Sequence, residues 1–284
     1  MRRAYADGPF GQIHFQYAAK GRPLILLHQA IMSSGQFDNV FAPLIAHGLR
    51  PIAIDMPGFG MSDAPAEAPT IEDYAKAVIP VLDALGIDKA AIAGHHTGSL
   101  VATEVANAHP DRIDAVIIAG PMIISEQERT DAMAGLVAQE RAFTAKPHGE
   151  HFVDFAKIRE WLAEPAPVGD ERISDYVTAA MLAYHKGAYW YGHHAAFTYR
   201  HDEPLKALKQ PTLLLTNNGD MTHPSSLKAK EMRPDFAYTE IDGGGIDICD
   251  QSPQEWAHAI AAFLSGNMLG FNCTVDHPAQ RTLF

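Results

Sequence analysis

A histidine stands where a glycine-bounded segment of this kind normally holds a catalytic nucleophile. Residues 94–98 read Gly-His-His-Thr-Gly, after an apolar run and before a helical pattern. Glycine, any residue, nucleophile, any residue, glycine is the spacing of a sharp strand-to-helix turn that holds the middle side chain above a sheet. The middle residue is usually serine, less often cysteine or aspartate, and here it is His96. We therefore predict that His96 has a catalytic role.

Apolar runs alternate with helical patterns along most of the chain, and they predict the elements that position His96. The segments "PLILLH", "KAAIAG" and "PTLLLTN" are continuously apolar or small, as strands buried on both faces are. The segment "TIEDYAKAVIPVLDALG" opens with a Thr-x-x-Asp cap and closes with glycine, which predicts a helix. This alternation predicts an α/β fold with a mostly parallel central sheet and helices on both faces.

One long segment interrupts this alternation. Residues 122–205 show helical patterns without buried strands, and they include the aromatic run "YHKGAYWYGHHAAFTY". An insertion of this kind predicts a helical cap on a core formed by residues 1–121 and 206–266. Residues 267–284 lack periodicity, so we expect a C-terminal tail that docks on the surface or on a partner chain.

Five motifs in this order resemble the α/β-hydrolase family. They are "LLHQ" (26–29), "DMPGFGMSD" (55–63), "GHHTG" (94–98), "PTLLLTNNGDMTHP" (211–224) and "EIDGGGIDICDQSPQEWAHAIAAFL" (240–264). The resemblance covers residues 1–266 and implies the α/β-hydrolase fold with an inserted helical cap. It also implies a catalytic triad in the chain order nucleophile, acid, histidine.

Two of the three triad positions differ from the family's pattern. The acid position matches Asp220, and the nucleophile position holds His96. The family's histidine usually precedes a proline by seven residues, and counting back from Pro253 reaches Ile246, which cannot transfer a proton. An imidazole at position 96 is longer than a serine side chain and could reach the acid through the vacated space. We predict a His96–Asp220 dyad, in which the carboxylate orients one ring nitrogen and makes the other a general base.

Backbone N–H groups near this turn should form an oxyanion hole. The resemblance implies one donor from Thr97 and a second from Gln29 or Ala30, each typically worth about 3 kcal/mol. The Gln29 side chain stands where the family often has glycine, so it either adds a donor or blocks the pocket.

Aromatic and imidazole side chains are expected to line the substrate pocket. The predicted pocket residues are Trp190, His193, His194, Phe37 and Ile246. By the resemblance, the other two histidines in the family's motifs, His28 and His95, are expected to be structural. No His-x-x-x-His pair with a supporting acid lies on a predicted helix, so we expect no metal and no cofactor. Asp247 could replace the lost base only if its loop were shifted.

Composition excludes several classes of partner. The formal charge of −12 argues against nucleic acid and anionic membranes, since both require clustered lysine and arginine. No apolar run approaches the roughly 20 residues of a membrane-spanning helix, and the polar start does not resemble a secretory signal. With two cysteines in 284 residues, we expect a cytoplasmic protein without a disulfide framework.

The expected activity is hydrolysis of a small, mostly apolar ester, lactone or activated carbonyl compound by water that His96 activates. A lyase, or another cofactor-free enzyme that begins by removing a proton next to a carbonyl, requires the same groups and stays open. A pseudoenzyme that only binds a small molecule also stays open. Because residues 267–284 could dock on a partner chain, a homo-oligomer also stays open.

Overall fold

An eight-stranded sheet forms the centre of the computed structural model, which describes residues 1–164 and 166–266. The strands are β1 (Arg2–Gly8), β2 (Gly11–Tyr17), β3 (Arg22–Leu27), β4 (Leu49–Ile54), β5 (Ala90–His95), β6 (Ile113–Ala119), β7 (Thr212–Asn217) and β8 (Ala237–Ile241). Their order across the sheet is β1-β2-β4-β3-β5-β6-β7-β8. Only the β1–β2 and β2–β4 pairs are antiparallel among the strands of the described residues.

Helices cover both faces of this sheet. The helices are α1 (Asp38–Ala46), α2 (Ile71–Ala75), α3 (Val78–Ala84), α4 (Thr97–Ala108), α5 (Glu126–Ala132), α6 (Ala138–Arg141), α7 (Glu150–Ala163), α8 (Asp170–His185), α9 (Tyr191–Thr198), α10 (Asp202–Ala207), α11 (His223–Met232), α12 (Ile248–Gln251) and α13 (Pro253–Leu264). Within the described part of the chain, none of them is both long and apolar enough to cross a membrane.

The side chains of β3 show why the strands of this sheet are apolar throughout. Ile25 and Leu27 are buried in one cluster with residues of α2, α3 and α4, whereas Leu24 and Leu26 are buried in another with residues of α1 and α13. Successive side chains of a strand point to opposite faces, so a strand covered on both faces must be apolar throughout. The predicted α/β-hydrolase fold, with a mostly parallel sheet and helices on both faces, is confirmed.

The chain between β6 and β7 forms helices and, within its described residues, no strand. Helices α7 and α8 pack together, and Phe155 and Tyr176 contact the turn Ala30–Met32 that follows β3. This helical insertion therefore packs against the turn at the carboxyl end of β3. Its division from the core as a cap of residues 122–205 stays a prediction, and the expected tail lies outside the described residues.

Buried neutral histidines are part of the core. His28 is fully buried, donates from Nδ1 to the Gln29 carbonyl at 2.7 Å, and accepts the Met56 N–H at Nε2 at 3.0 Å. Burial lowers the pKa of His28 and lowers the pKa of His201 to about 3. His201 is held by Thr103 Oγ1 at 2.8 Å on one ring nitrogen and by a backbone N–H on the other. The structural role expected for His28 is confirmed.

These histidines predict a loss of stability in mild acid. When the chain is unfolded, His201 binds a proton below about pH 6.5, but in the folded chain it stays neutral until the pH approaches about 3. The unfolded state therefore gains a proton as the pH falls, and His201 lowers the free energy of unfolding by about 1.4 kcal/mol per pH unit. Burial of His28 acts in the same direction. Urea unfolding should show the free energy of unfolding falling between pH 6 and pH 5.

The variant His201→Leu isolates one of these contributions. Its slope against pH should be shallower than that of the wild type by about 1.4 kcal/mol per pH unit. The control His185→Gln, at an exposed position, should keep the wild-type slope. Equal slopes in His201→Leu and the wild type would show that His201 takes up a proton in the folded state.

Candidate active site

The turn between β5 and α4 holds His96 in a strained backbone conformation. His96 has φ 49° and ψ −115°, a combination that residues with side chains rarely adopt. A Cβ on Gly94 would lie 2.0 Å from the Gly98 carbonyl oxygen, and a Cβ on Gly98 would lie 2.1 Å from the Leu27 carbonyl oxygen. Only glycine fits at either position. The structure therefore contains the sharp strand-to-helix turn that the spacing predicts.

The loop after β7 brings a carboxylate to this histidine. His96 Nε2 lies 2.8 Å from Asp220 Oδ2. The other carboxylate oxygen, Oδ1, accepts the backbone N–H and the hydroxyl of Thr222, each at 2.6 Å. Asp220 is buried, and the His96 side chain is 12% exposed. The two residues predicted to form a dyad are thus in direct contact.

The charge on Asp220 determines which ring nitrogen of His96 is free. Burial raises the pKa of Asp220, but the neighbouring His96, His95 and Thr222 outweigh it and hold the pKa well below its usual range. Because an ionised carboxylate only accepts hydrogen bonds, Nε2 of a neutral His96 must carry the proton. The lone pair then lies on Nδ1, which has no hydrogen-bond partner among the residues that the structure describes. This arrangement can act as a general base at Nδ1.

A glycine at the end of β6 leaves room for the imidazole. A Cβ on Gly120 would lie 2.4 Å from His96 Cδ2 and 2.9 Å from Thr222 Oγ1. Gly120 also has a φ of +72°, which disfavours other residues. Our sequence reasoning did not single out Gly120, and its place directly after a predicted buried strand was the available signal.

His95 lies under the turn and is held by a chain of hydrogen bonds. The Gln29 N–H donates to Gln36 Oε1 at 2.9 Å, and Gln36 Nε2 lies 2.8 Å from His95 Nδ1. Since Gln36 Nε2 can only donate, His95 accepts at Nδ1 and carries its proton on Nε2. Burial, together with the nearby His96, lowers the pKa of His95 to about 3. The structural role expected for His95 stays a prediction.

The same side chains are the candidate metal ligands of this site. One ligand atom from each of His95, His96 and Asp220 lies within 4.8 Å of the others. However, His95 Nδ1 accepts from Gln36, and His96 Nε2 donates to Asp220. A metal ion bound through His95 Nδ1 or His96 Nε2 would have to replace one of these hydrogen bonds.

The backbone also narrows the choice of oxyanion donors. Leu27 of β3 pairs with Gly94 of β5, so the segments that follow these residues leave the sheet side by side. The Gln29 N–H was one predicted donor, and that prediction is wrong because it is bonded to Gln36. Ala30 and Thr97 remain, and neither N–H donates to another residue in the described ranges. Thr97 is the first residue of α4, where helical N–H groups lack partners within the helix.

The predicted pocket residues of the helical insertion contact other side chains of that insertion. His193 Nδ1 lies 2.7 Å from Glu140 Oε1, and the His194 ring meets the edge of Trp190 at 5.1 Å. Arg141 lies over Trp190 at 4.4 Å. Burial and the charge of Arg141 lower the pKa of His194. The place of Trp190, His193 and His194 in a substrate pocket stays a prediction.

Phe37 belongs to the core. It ends a short 3-10 helix, Ser34–Phe37, is fully buried, and packs against Trp256 with ring centroids 6.1 Å apart. The same buried cluster contains residues of α1, of α13 and of the strands that these helices cover. The prediction that Phe37 lines the pocket is wrong, because the 3-10 helix directs its ring to the face of the sheet that α1 and α13 cover.

The loop that carries Ile246 is joined to the helical insertion by buried charges. Ile246 is half-buried, and the adjacent Asp247 forms a buried ion pair with Arg159 of α7. Burial raises the pKa of Asp247, and Arg159 offsets part of this effect. Arg159 also lies 4.5 Å from the centroid of the Tyr176 ring. Asp247 is thus a partner of Arg159, and Ile246 stays a predicted pocket residue.

A second pair reinforces this attachment. Arg172 Nε of α8 lies 2.9 Å from Asp250 Oδ2, and the Tyr176 hydroxyl donates to the same carboxylate. Arg172 also donates to the Gly35 carbonyl at 2.7 Å. Our sequence reasoning missed both arginines, because nothing in their local pattern distinguishes them from other helical cations.

Comparison with known families agrees with this geometry. The family model described as alpha/beta hydrolase fold matches residues 22–224, which is more than half of the chain. The chain belongs to the α/β-hydrolase fold family. The match includes the segments that carry His96 and Asp220.

Known proteins are similar to this α/β-hydrolase chain over different fractions of its length. A 2-hydroxy-6-oxo-6-phenylhexa-2,4-dienoate hydrolase from Burkholderia cepacia is 37% identical over 119 residues, 39% of this chain and 40% of that protein. A haloalkane dehalogenase from Agrobacterium fabrum is 25% identical over 282 residues, 93% of this chain and 92% of that protein. A thermophilic esterase from Thermogutta terrifontis has a TM-score of 0.76 and 20% identity, covering 94% and 99% of the two chains. The chain spans only 35% to 50% of the length of the first five curated relatives that it matches.

Gly120→Ala tests the space that this α/β-hydrolase fold provides for the imidazole. The new Cβ should displace His96 from Asp220, whereas Gly86→Ala, also at positive φ but with no atom nearby, should leave the pair intact. Both variants carry a similar backbone strain of about 1 kcal/mol. Long-range ¹H–¹⁵N correlation spectra should show the Nε2–H tautomer of His96 in the wild type and in Gly86→Ala only. The same tautomer in all three proteins would contradict this account.

Arg159→Met tests the ion pair that attaches the insertion. Because it leaves Asp247 buried and unpaired, we expect the free energy of unfolding to fall by about 3–5 kcal/mol. The double variant Arg159→Met/Asp247→Leu should recover most of this loss, because no charge remains buried. Lys206→Met, which removes an exposed ion pair, should have little effect. A single variant as stable as the wild type would show that the pair does not stabilise the fold.

Proposed function

We propose that the protein is a hydrolase of small, mostly apolar esters, lactones or activated carbonyl compounds. The observation that carries this proposal is the 2.8 Å contact between His96 Nε2 and Asp220 Oδ2. It orients an imidazole on the turn where this family places its reactive side chain, and it leaves Nδ1 as the basic atom. Ala30 and Thr97 offer backbone N–H groups beside it.

The proposed reaction begins with a water molecule at Nδ1. Nδ1 takes a proton from the water as its oxygen bonds to the substrate carbonyl carbon, and the carbonyl π electrons move to the carbonyl oxygen. The N–H groups of Ala30 and Thr97 stabilise the resulting oxyanion. Collapse of this intermediate breaks the bond to the leaving group, which receives the proton from Nδ1. Asp220 stays ionised and stabilises the imidazolium in between.

The residue at the turn also disfavours other reactions within the family. Haloalkane dehalogenases and epoxide hydrolases require a carboxylate nucleophile at this position, and serine esterases require a hydroxyl. Position 96 offers an imidazole instead. The relatives named as a hydrolase and an esterase support hydrolysis as the class of reaction, while the base at Nδ1 accounts for it without a covalent nucleophile.

A second enzymatic function uses the same atoms. The oriented base and the two N–H groups also suit a lyase or cofactor-free reaction that removes a proton next to a carbonyl and stabilises the enolate. The free Nδ1 favours this alternative, because such a reaction requires no water at the site. Consumption of a substrate without a hydrolysable bond would distinguish it from hydrolysis.

His96→Gln and Asp220→Asn test the proposed base. Rates on a panel of short-chain aryl esters and lactones should fall by about 10²–10⁴-fold in each variant, because the oriented base is lost. The control His185→Gln, on the surface of α8, should retain full activity.

The other outcomes identify the competing functions. Equal rates in the wild type and in His96→Gln would overturn hydrolysis by this base. Tight binding of a small molecule without turnover would identify a binding protein. A serine-directed phosphonate should leave no adduct at residue 96, since the imidazole replaces the serine hydroxyl.

A further inference from the structure

One buried side chain beside the proposed oxyanion donors has no polar partner. Gln29 is 3% exposed, yet neither its Nε2 nor its Oε1 forms a hydrogen bond with any residue that the structure describes. A buried amide without partners costs stability, so native proteins nearly always pair such groups. The unpaired carboxamide therefore points to a ligand that supplies the missing partners.

The backbone at Gln29 is firmly held. Its N–H donates to Gln36 at 2.9 Å. Its carbonyl accepts from His28 Nδ1 at 2.7 Å and from the Met32 N–H at 3.2 Å. Three hydrogen bonds thus fix the backbone of Gln29, whereas its side-chain carboxamide forms none.

The sheet places the backbone of Gln29 at the same edge as the proposed base. Leu27 and Gly94 are paired on the adjacent parallel strands β3 and β5. Gln29 and His96 each follow two residues later, at the same edge of the sheet. The next residue along the chain is Ala30, whose N–H is a proposed oxyanion donor. A substrate carbonyl held by Ala30 would therefore lie beside Gln29.

We propose that Gln29 selects substrates with a hydroxyl group on the carbon next to the reacting carbonyl, that is, α-hydroxy esters and lactones. This inference rests on the proposed function. In such a substrate the carbonyl oxygen accepts from Nε2–H while the neighbouring hydroxyl donates to Oε1. Both unpaired atoms of the carboxamide are then satisfied by two adjacent groups of one ligand.

Simple esters satisfy only half of this arrangement. They present a carbonyl acceptor but no donor, so Gln29 Oε1 stays unpaired when they bind. A site built to hydrogen-bond a hydroxyl discriminates strongly against analogues that lack it, for this reason. Gln29 would therefore act on specificity, while His96 supplies the base.

The unfolding temperature of Gln29→Leu tests whether the carboxamide is unpaired within the free protein. Removing two unsatisfied atoms at nearly constant volume should leave the midpoint unchanged or raise it. Gln36→Leu is the matched control, because it is equally buried but bonded at both amide atoms. Its midpoint should fall by about 3 °C or more. An equal fall in Gln29→Leu would overturn the proposal, since Gln29 would then be a structural residue.

Matched substrates test the specificity itself. In the wild type, kcat/KM for an aryl glycolate should exceed that for the aryl methoxyacetate by roughly 100-fold, because methylation removes the donor. In Gln29→Leu this ratio should fall below about 3-fold, as expected once the hydroxyl has no polar partner. An unchanged ratio would overturn the proposal. A uniform rise in both rates in Gln29→Leu would also overturn it and show that Gln29 blocks the pocket.

A binding measurement separates this inference from the proposed hydrolysis. Calorimetry of 2-hydroxyacetophenone and 2-methoxyacetophenone uses ligands with no bond that the enzyme can hydrolyse. Preference for the hydroxy compound that is lost in Gln29→Leu supports the site, even if no ester is turned over. Equal binding of the two compounds, or binding of neither, overturns the role of Gln29 even if hydrolysis by His96 stands.

Discussion

The hydrogen bond between His96 and Asp220 joins residues 124 positions apart, and the arrangement of the site depends on it. The two side chains follow β5 and β7, which are separated in the sheet by β6. The contact therefore crosses above the end of β6, where Gly120 has no side chain to obstruct it. Three neighbouring strand ends thus contribute a base, an open space and an acid. Because Asp220 occupies Nε2, it also determines that Nδ1 is the nitrogen left for chemistry.

The order of strands and helices could be predicted from the sequence because burial on two faces leaves a clear pattern. Continuously apolar strands such as β3 can be distinguished from amphipathic helices because the strands are shorter and the helices begin and end at capping residues. The contact of His96 with Asp220 could be predicted as well. It follows from the length of an imidazole, the acid that the family's order assigns to position 220, and the absence of a competing histidine at position 246.

Contacts between distant segments could not be predicted in the same way. Phe37 is an aromatic residue near the proposed site in sequence, but a 3-10 helix directs its ring into the core. The choice between Gln29 and Ala30 as oxyanion donor depended on Gln36, whose amide accepts the Gln29 N–H. Arg159 meets Asp247 only through the packing of the helical insertion on its loop. Each outcome is set by tertiary packing, which leaves no local pattern.

The open space above β6 has a consequence for recognising other chains. A serine at the turn is short, so it would not occupy the space where a Cβ at position 120 would lie. An imidazole at position 96 and a Cβ at position 120 exclude each other in this conformation, because their atoms would be 2.4 Å apart. The two positions should therefore vary together among related sequences. Glycine directly after the sixth strand would then distinguish chains whose turn histidine can reach the acid from chains in which it cannot.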